Sequence, residues 1–193
     1  MLDNLKPYRI VLASNSPRRK ELLQSLGLNF SVRTLLGIDE SYPPELRGGD
    51  IARHIAEKKA AAYQPTMRDD ELLIAADTIV SLNGRVMGKP HDTDEARAML
   101  AALAGQTHQV ITGVAVRTKT RAESFNVTSD VRFAPLSEAE VDYYVTNYLP
   151  LDKAGAYGIQ EWIGLVGVEE LHGSYFNVMG LPVQRLYTLL KTF

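Results

Sequence analysis

Apolar residues along the chain gather in short clusters separated by polar turns, and the clusters alternate between the strand and helix periods. Residues 8–13 form a brief β-branched run that reads as a buried strand, ended by the polar turn Ser14-Asn15-Ser16. Pro17 suits the first position of a helix with Ser16 as its N-cap, Leu22, Leu23 and Leu26 as its apolar face and Gly27 as its stop. Residues 28–33 read as a second strand, and 37–50 as a turn-rich polar loop. Asp50 is expected to cap a helix over 51–64. Residues 72–76 and 78–82 are strand-like, and Asn83-Gly84 is a strong hairpin turn.

Asp92 or Thr93 caps an expected helix that runs to Leu103 and ends at Gly105. Residues 110–117 and 127–133 read as two strands of a long hairpin. Ser137-Glu138-Ala139-Glu140 matches a capping box, which predicts a helix to Asn147. Residues 152–182 are rich in glycine and aromatics and are expected to hold short strands. An amphipathic helix over 183–190 closes the pattern. No repeat, low-complexity tract or linker interrupts it, so the expectation is one α/β domain over 1–193.

Composition narrows the classes. The chain has 193 residues, 45% hydrophobic and 23% charged, proportions that exclude disorder, collagen and coiled coil as the dominant state. It has no cysteine, which removes disulfide scaffolds, thiolate nucleophiles and Cys-ligated zinc or iron–sulfur sites. Lys and Arg number 21 against 23 Asp and Glu, a net charge of −2, so the bulk positive charge of a general nucleic-acid binder is missing. Asp3 and Pro7 break any signal-peptide pattern, and no run reaches the roughly 18 apolar residues that span a bilayer. A cytoplasmic enzyme or binding protein, without membrane or stable nucleic-acid partner, is the expectation.

The chemistry concentrates in a few segments. Ser14-Asn15-Ser16-Pro17-Arg18-Arg19 brings two arginines to a helix start, where free N–H groups and the dipole suit an anion. Acids fit a helix N-terminus better than arginines do, and such a local conflict is expected at functional sites; the alternative is an ordinary capped helix with exposed arginines. Asp77, set among the apolar residues of 75–80, is costly to bury unless it is paired. It reads as a metal ligand or general base, or else as a structural acid bonded to nearby amides. Lys59 and Lys89 can each supply a point charge to phosphate, although each read alone is a solvated surface group. Gly88-Lys89-Pro90 fails the P-loop spacing. Glu40 read alone is an ordinary loop acid. The segment 153–160 could bring backbone close to a ligand with Gln160 reading a base edge, or could be a glycine-kinked turn. The four histidines lack zinc-site spacing.

Taken together these segments resemble the Maf family of nucleotide pyrophosphatases. The resemblance is carried by residues 12–19, Asp39-Glu40, Glu57-Lys58-Lys59-Ala60, Ala76-Asp77-Thr78-Ile79-Val80, Gly88-Lys89-Pro90, Gly105-Gln106-Thr107-His108, 152–160 and Asn177-Val178-Met179-Gly180-Leu181-Pro182. It implies an elongated, two-lobed α/β fold like that of inosine triphosphate pyrophosphatases, with a mixed central sheet flanked by helices and an interlobe cleft. It implies hydrolysis of a nucleoside triphosphate to monophosphate and diphosphate with a divalent cation, Mg²⁺ or Mn²⁺, and a homodimer. Arg18, Thr78 and Gln160 look like the subgroup acting on dTTP and UTP, in which Asp77 matches the proton acceptor. On this resemblance Ser14, Ser16, Arg18, Arg19, Thr78 and Gln160 bind substrate. Lys59 and Lys89 supply charge, and Glu40 and Asp77 hold the metal. Glu161 departs from the pattern, since similar proteins often carry glycine there. The competing class is a non-catalytic regulatory protein that binds a nucleotide or phosphate; Asp77 separates the two, because an anion binder gains nothing from a carboxylate beside phosphates.

Overall fold

The structure is a computed structural model, and it describes residues 2–193. Strands β1 (Arg9–Leu12), β2 (Phe30–Val32), β3 (Glu71–Leu82), β4 (Arg85–Met87), β5 (Thr107–Arg117), β6 (Ala122–Phe133) and β7 (Val168–His172) form one seven-stranded sheet. Its order is β2-β1-β3-β5-β6-β7, with β4 paired to β3. β1 runs parallel to both β2 and β3, with Ile10 opposite Phe30 and Leu72, whereas β3–β4 and β6–β7 are antiparallel. The helices are α1 (Pro17–Ser25), α2 (Gly49–Tyr63), α3 (Thr93–Leu103), α4 (Glu138–Tyr148), α5 (Trp162–Gly167), α6 (Tyr175–Met179) and α7 (Val183–Leu190). A mixed α/β fold with a central mixed sheet is the result.

Two compact units divide the chain: residues 1–77, 112–127 and 180–193 form the first, and 78–111 and 128–179 the second. In the first unit, alternation along β3 turns Leu73, Ala75 and Asp77 to one face. Leu73 and Ala75 pack there with Ala56, Ala60 and Tyr63 of α2. Ala52, Ala56 and Ala60 recur every fourth residue and give α2 a flat stripe. The approach is so close that a Cβ on Gly113 of β5 would lie 2.2 Å from the Ala52 carbonyl carbon. Lys59, one residue before Ala60, is thereby carried to the level of Asp77.

In the second unit His108, Phe133 and Tyr157 meet edge to face, with ring centroids 4.9–5.4 Å apart. His108 Nε2 lies 2.7 Å from the Tyr157 hydroxyl. Buried Asn177 donates to the Val110 carbonyl at 3.0 Å and to Ser129 Oγ at 2.9 Å. Val80 leaves no room for a side chain at Gly155, where a Cβ would come within 2.9 Å of it.

Several local expectations hold. Ser16 caps α1 and Asp92 caps α3, the capping box at Ser137 and Glu140 starts α4, and α7 spans the expected residues. Asn83 and Gly84 both adopt positive φ in the β3–β4 turn. Three expectations need correction. Residues 72–76 and 78–82 belong to one strand, because Asp77 is paired by a distant lysine and the ladder passes through it. Gly48, not Asp50, is the α2 N-cap, and the Asp50 carboxylate instead pairs with Arg53 one turn along. The 152–182 stretch holds two short helices, α5 and α6, with β7 between them, so helix rather than strand prevails there.

Candidate active site

The helix α1 start is built by two serines. The Ser16 hydroxyl accepts the Arg19 amide at 3.4 Å, and buried Ser14 accepts the Ser16 amide at 3.2 Å. Arg19 is anchored by its side chain: Nε donates to the Gly180 carbonyl at 2.9 Å and Nη1 to Ser14 Oγ at 3.4 Å. Burial pulls its guanidinium below the ordinary arginine value, Asp77 and Glu40 raise it, and the neighbouring Arg18 lowers it. An arginine always remains charged in a protein. Arg18 and Arg19 thus bring two like charges to the first turn of α1, the end of a helix that favours anions.

Opposite charges are assembled from three elements of the same unit. Lys59 Nζ lies 2.7 Å from Asp77 Oδ1 and 2.9 Å from Glu40 Oε1. The lysine and aspartate side chains are 15% and 13% exposed, whereas Glu40 is 54% exposed. Glu40 is thus no isolated loop acid. Its loop is pinned one residue earlier, where Asp39 pairs with Lys58 at 2.8 Å and accepts the Ser41 amide at 2.9 Å and hydroxyl at 2.7 Å. These bonds, led by the one from Lys58, hold the Asp39 carboxyl well below the usual carboxylate range. Lys58 also donates to the Ser41 carbonyl at 2.8 Å. Consecutive acids meet consecutive lysines, rung by rung. That doubled pattern, Asp39-Glu40 against Lys58-Lys59, was the signal in the sequence that could have paired the loop with α2. Tyr63 fixes the start of the same loop by donating to the Arg33 carbonyl and accepting the Leu35 amide.

The remaining candidates belong to the second unit. Thr78 follows Asp77 on β3 and is half-buried, and Lys89 and Gln160 are exposed. The Gly88 carbonyl accepts the Gly155 amide at 3.0 Å, which ties the β4 exit to the loop before Gln160. Of the residues around Gln160, Tyr144 had no part in the sequence reading, Lys153 entered it only within the segment 152–160, and Glu161 only as a departure from the family pattern. Lys153 is 8% exposed and pairs with Asp152 at 2.7 Å and Glu161 at 3.1 Å.

Two carboxylates, Asp77 and Glu40, present hard oxygen donors to one shared cation, the Lys59 ammonium. No group of three or more His, Cys, Asp or Glu able to hold a metal occurs among the described residues. Mg²⁺ commonly takes one or two carboxylates and completes its shell with water and substrate phosphates, so this donor set fits such an ion. Among the described residues no helix is long and apolar enough to cross a membrane.

With this geometry in hand, comparison with known proteins places the chain. It belongs to the Maf family, whose model, described as Maf-like protein, matches residues 9–193. It is 61% identical over 191 residues to the dTTP/UTP pyrophosphatase of Phocaeicola vulgatus, covering 99% of both chains. It is 58% identical to the dTTP/UTP pyrophosphatase of Parabacteroides distasonis over the full length of both. Among solved structures, a HAM1 protein from Coxiella burnetii superposes over 96% of this chain and 100% of that one, with a TM-score of 0.48 and 15% identity.

Proposed function

We propose that this protein is a nucleoside triphosphate pyrophosphatase that hydrolyses dTTP and UTP to the monophosphate and diphosphate. The observation that carries the chemistry is the mostly buried Lys59 ammonium shared by Asp77 and Glu40, with the Arg19 guanidinium under the influence of the same two acids. The substrate class is supported by the names of the relatives at 61% and 58% identity.

Attack of water on the α-phosphorus expels diphosphate, so negative charge grows on the bridging oxygen and needs fixed positive partners. Arg18, Arg19, Lys59 and Lys89 supply them, with Arg19 preset by its bonds to Gly180 and Ser14. Ser14 and Ser16 hold the helix start open toward the phosphates. Asp77 orients the water and takes its proton, its carboxylate held in place by the Lys59 ammonium at 2.7 Å. Asp77 and Glu40 would hold a divalent cation, Mg²⁺ or Mn²⁺, which when bound neutralises phosphate charge. Gln160 hydrogen-bonds the pyrimidine edge, and Thr78 and Arg18 take part in substrate choice.

The test is an assay of purified protein with Mg²⁺ or Mn²⁺, a panel of nucleoside triphosphates and separate detection of diphosphate and orthophosphate. Diphosphate from dTTP and UTP is expected. Orthophosphate as the first product, or equal turnover of ATP, GTP, UTP and dTTP, would overturn the reading.

A further inference from the structure

Gln160 sits at the second central position of a turn, and both ends of that turn rest on one phenol. The Glu161 amide donates to the Gly158 carbonyl at 2.9 Å and closes the turn. The Tyr144 oxygen accepts the Gly158 amide at 3.0 Å and donates its hydrogen to Glu161 Oε2. Glu161 Oε1 in turn pairs with buried Lys153 at 3.1 Å. Tyr144 thus spends its one donor and an acceptor on this turn. Burial first, and the bond to Glu161 second, push its hydroxyl well above the usual tyrosine range, so the donor is always present. Ile159 is buried and Gln160 is exposed, so the turn fastens one side chain into the core and offers the next outward.

Gly158 records how tightly the polar groups converge. A Cβ there would lie 2.9 Å from the Glu161 carboxyl carbon, 3.0 Å from Gln160 Nε2 and 3.1 Å from Glu161 Oε2. The amino end of the glutamine amide and the carboxylate therefore crowd over the same glycine.

That crowding bears on base choice. Uracil and thymine present an acceptor, a donor and an acceptor along their pairing edge, whereas cytosine presents a donor and two acceptors. A glutamine amide can satisfy either pattern, depending on which way round it sits. A fixed anion beside its amino end favours one rotation and disfavours the other. We propose that Glu161, held by Tyr144 and Lys153, is a positioning residue that sets the rotation of the Gln160 amide and so selects uracil and thymine over cytosine. This inference rests on the pyrophosphatase reading above.

Steady-state kinetics on UTP, dTTP and CTP test it with wild type, Glu161→Gln, Gln160→Ala and the double variant. Glu161→Gln should lower the UTP-to-CTP ratio of kcat/KM about tenfold, the size of one weakened hydrogen bond to a base. The loss should lie in KM for UTP and dTTP, with kcat kept within about threefold. In the Gln160→Ala background the same change should do nothing further, since a residue acting through another has no effect once that other is gone. Tyr144→Phe, which frees the turn without touching the carboxylate charge, should shift selectivity in the same direction and carries the test if Glu161→Gln melts below the assay temperature. An unchanged ratio, a fall in kcat at constant KM, or an equal loss in the Gln160→Ala background overturns the inference alone. Wild type that turns over neither UTP nor dTTP overturns the functional reading, and the inference with it.

Discussion

Two lysines in this protein are set in nearly the same way and do different work. Lys59 and Lys153 are 15% and 9% exposed at the side chain, and each bridges one sheltered and one exposed carboxylate. For Lys59 these are Asp77 at 13% and Glu40 at 54%; for Lys153 they are Glu161 at 20% and Asp152 at 54%. The difference lies in what surrounds the sheltered acid. Asp77 and Glu40 also act on the buried Arg19 guanidinium, so a second cation shares the acids of Lys59. Beside Glu161 stand a phenol and the backbone of the 158–161 turn, so the charges are answered within the protein. On the proposed reading the first cluster serves the reaction, while the second binds its charges into the 158–161 turn.

The sharpest way to break this contrast is to remove the sheltered acid of the first cluster. Asp77→Asn keeps the shape and removes the proton acceptor, so kcat should fall by about 10²–10⁴, while Glu40 still balances Lys59 and circular dichroism should show the fold intact. Near-normal turnover would end the assignment. The matching change in the second cluster is Lys153→Met, which leaves the Glu161 carboxylate without its buried cation. Breaking such a pair costs about 3–5 kcal/mol, which urea titration would read as a lowered unfolding free energy. A stable Lys153→Met protein would show that the second cluster is not structural.

A pH experiment probes the second unit again. Burial holds His108 down to about 4, against an ordinary value near 6.5. Between those values the unfolded chain binds a proton that the folded chain refuses, so stability falls as pH drops through that window and is level above it. The full effect is about 3 kcal/mol, and His108→Gln should flatten it in urea titrations between pH 7 and 4.5. The smallest effect belongs to the exposed member of the second cluster. Asp152→Asn should change stability by less than about 1 kcal/mol, because its carboxylate is solvent-screened. A larger loss would mean that Asp152, and not Glu161, is what compensates Lys153.

What the sequence disclosed follows the range of the forces involved. Ser137 with Glu140, Asn83 with Gly84 and the apolar spacing of 183–190 act over three or four residues, and the elements they announce are the ones observed. Asp77 reads as a break in a strand because its partner Lys59 is 18 positions away and invisible to a local pattern. The candidate residues Ser14, Ser16, Arg18, Arg19, Lys59 and Asp77 could be named from their chemical types, but the pairing of Glu40 with Lys59 was marked only by the doubled pattern of consecutive acids and consecutive lysines, whose meaning the fold supplies. Tyr144 and Lys153 were missed for the opposite reason. A tyrosine on an amphipathic helix and a lysine beside an aspartate look ordinary until the 158–161 turn is seen to rest on them. Residues 162–167 form a helix despite two glycines, since Gly164 is needed where a Cβ would collide with the Ile159 carbonyl oxygen at 1.8 Å; that demand is tertiary.

The bond from Arg19 to the Gly180 carbonyl spans 161 positions, and it carries a consequence for synthesis. Synthesis delivers Ser14 and Arg19 well before Gly180, so in a growing chain the guanidinium has the serine within its own segment but not yet this carbonyl. Chains released before Gly180 would lack that carbonyl anchor however well their early strands pair. The full setting of this guanidinium thus waits on a segment made long after it.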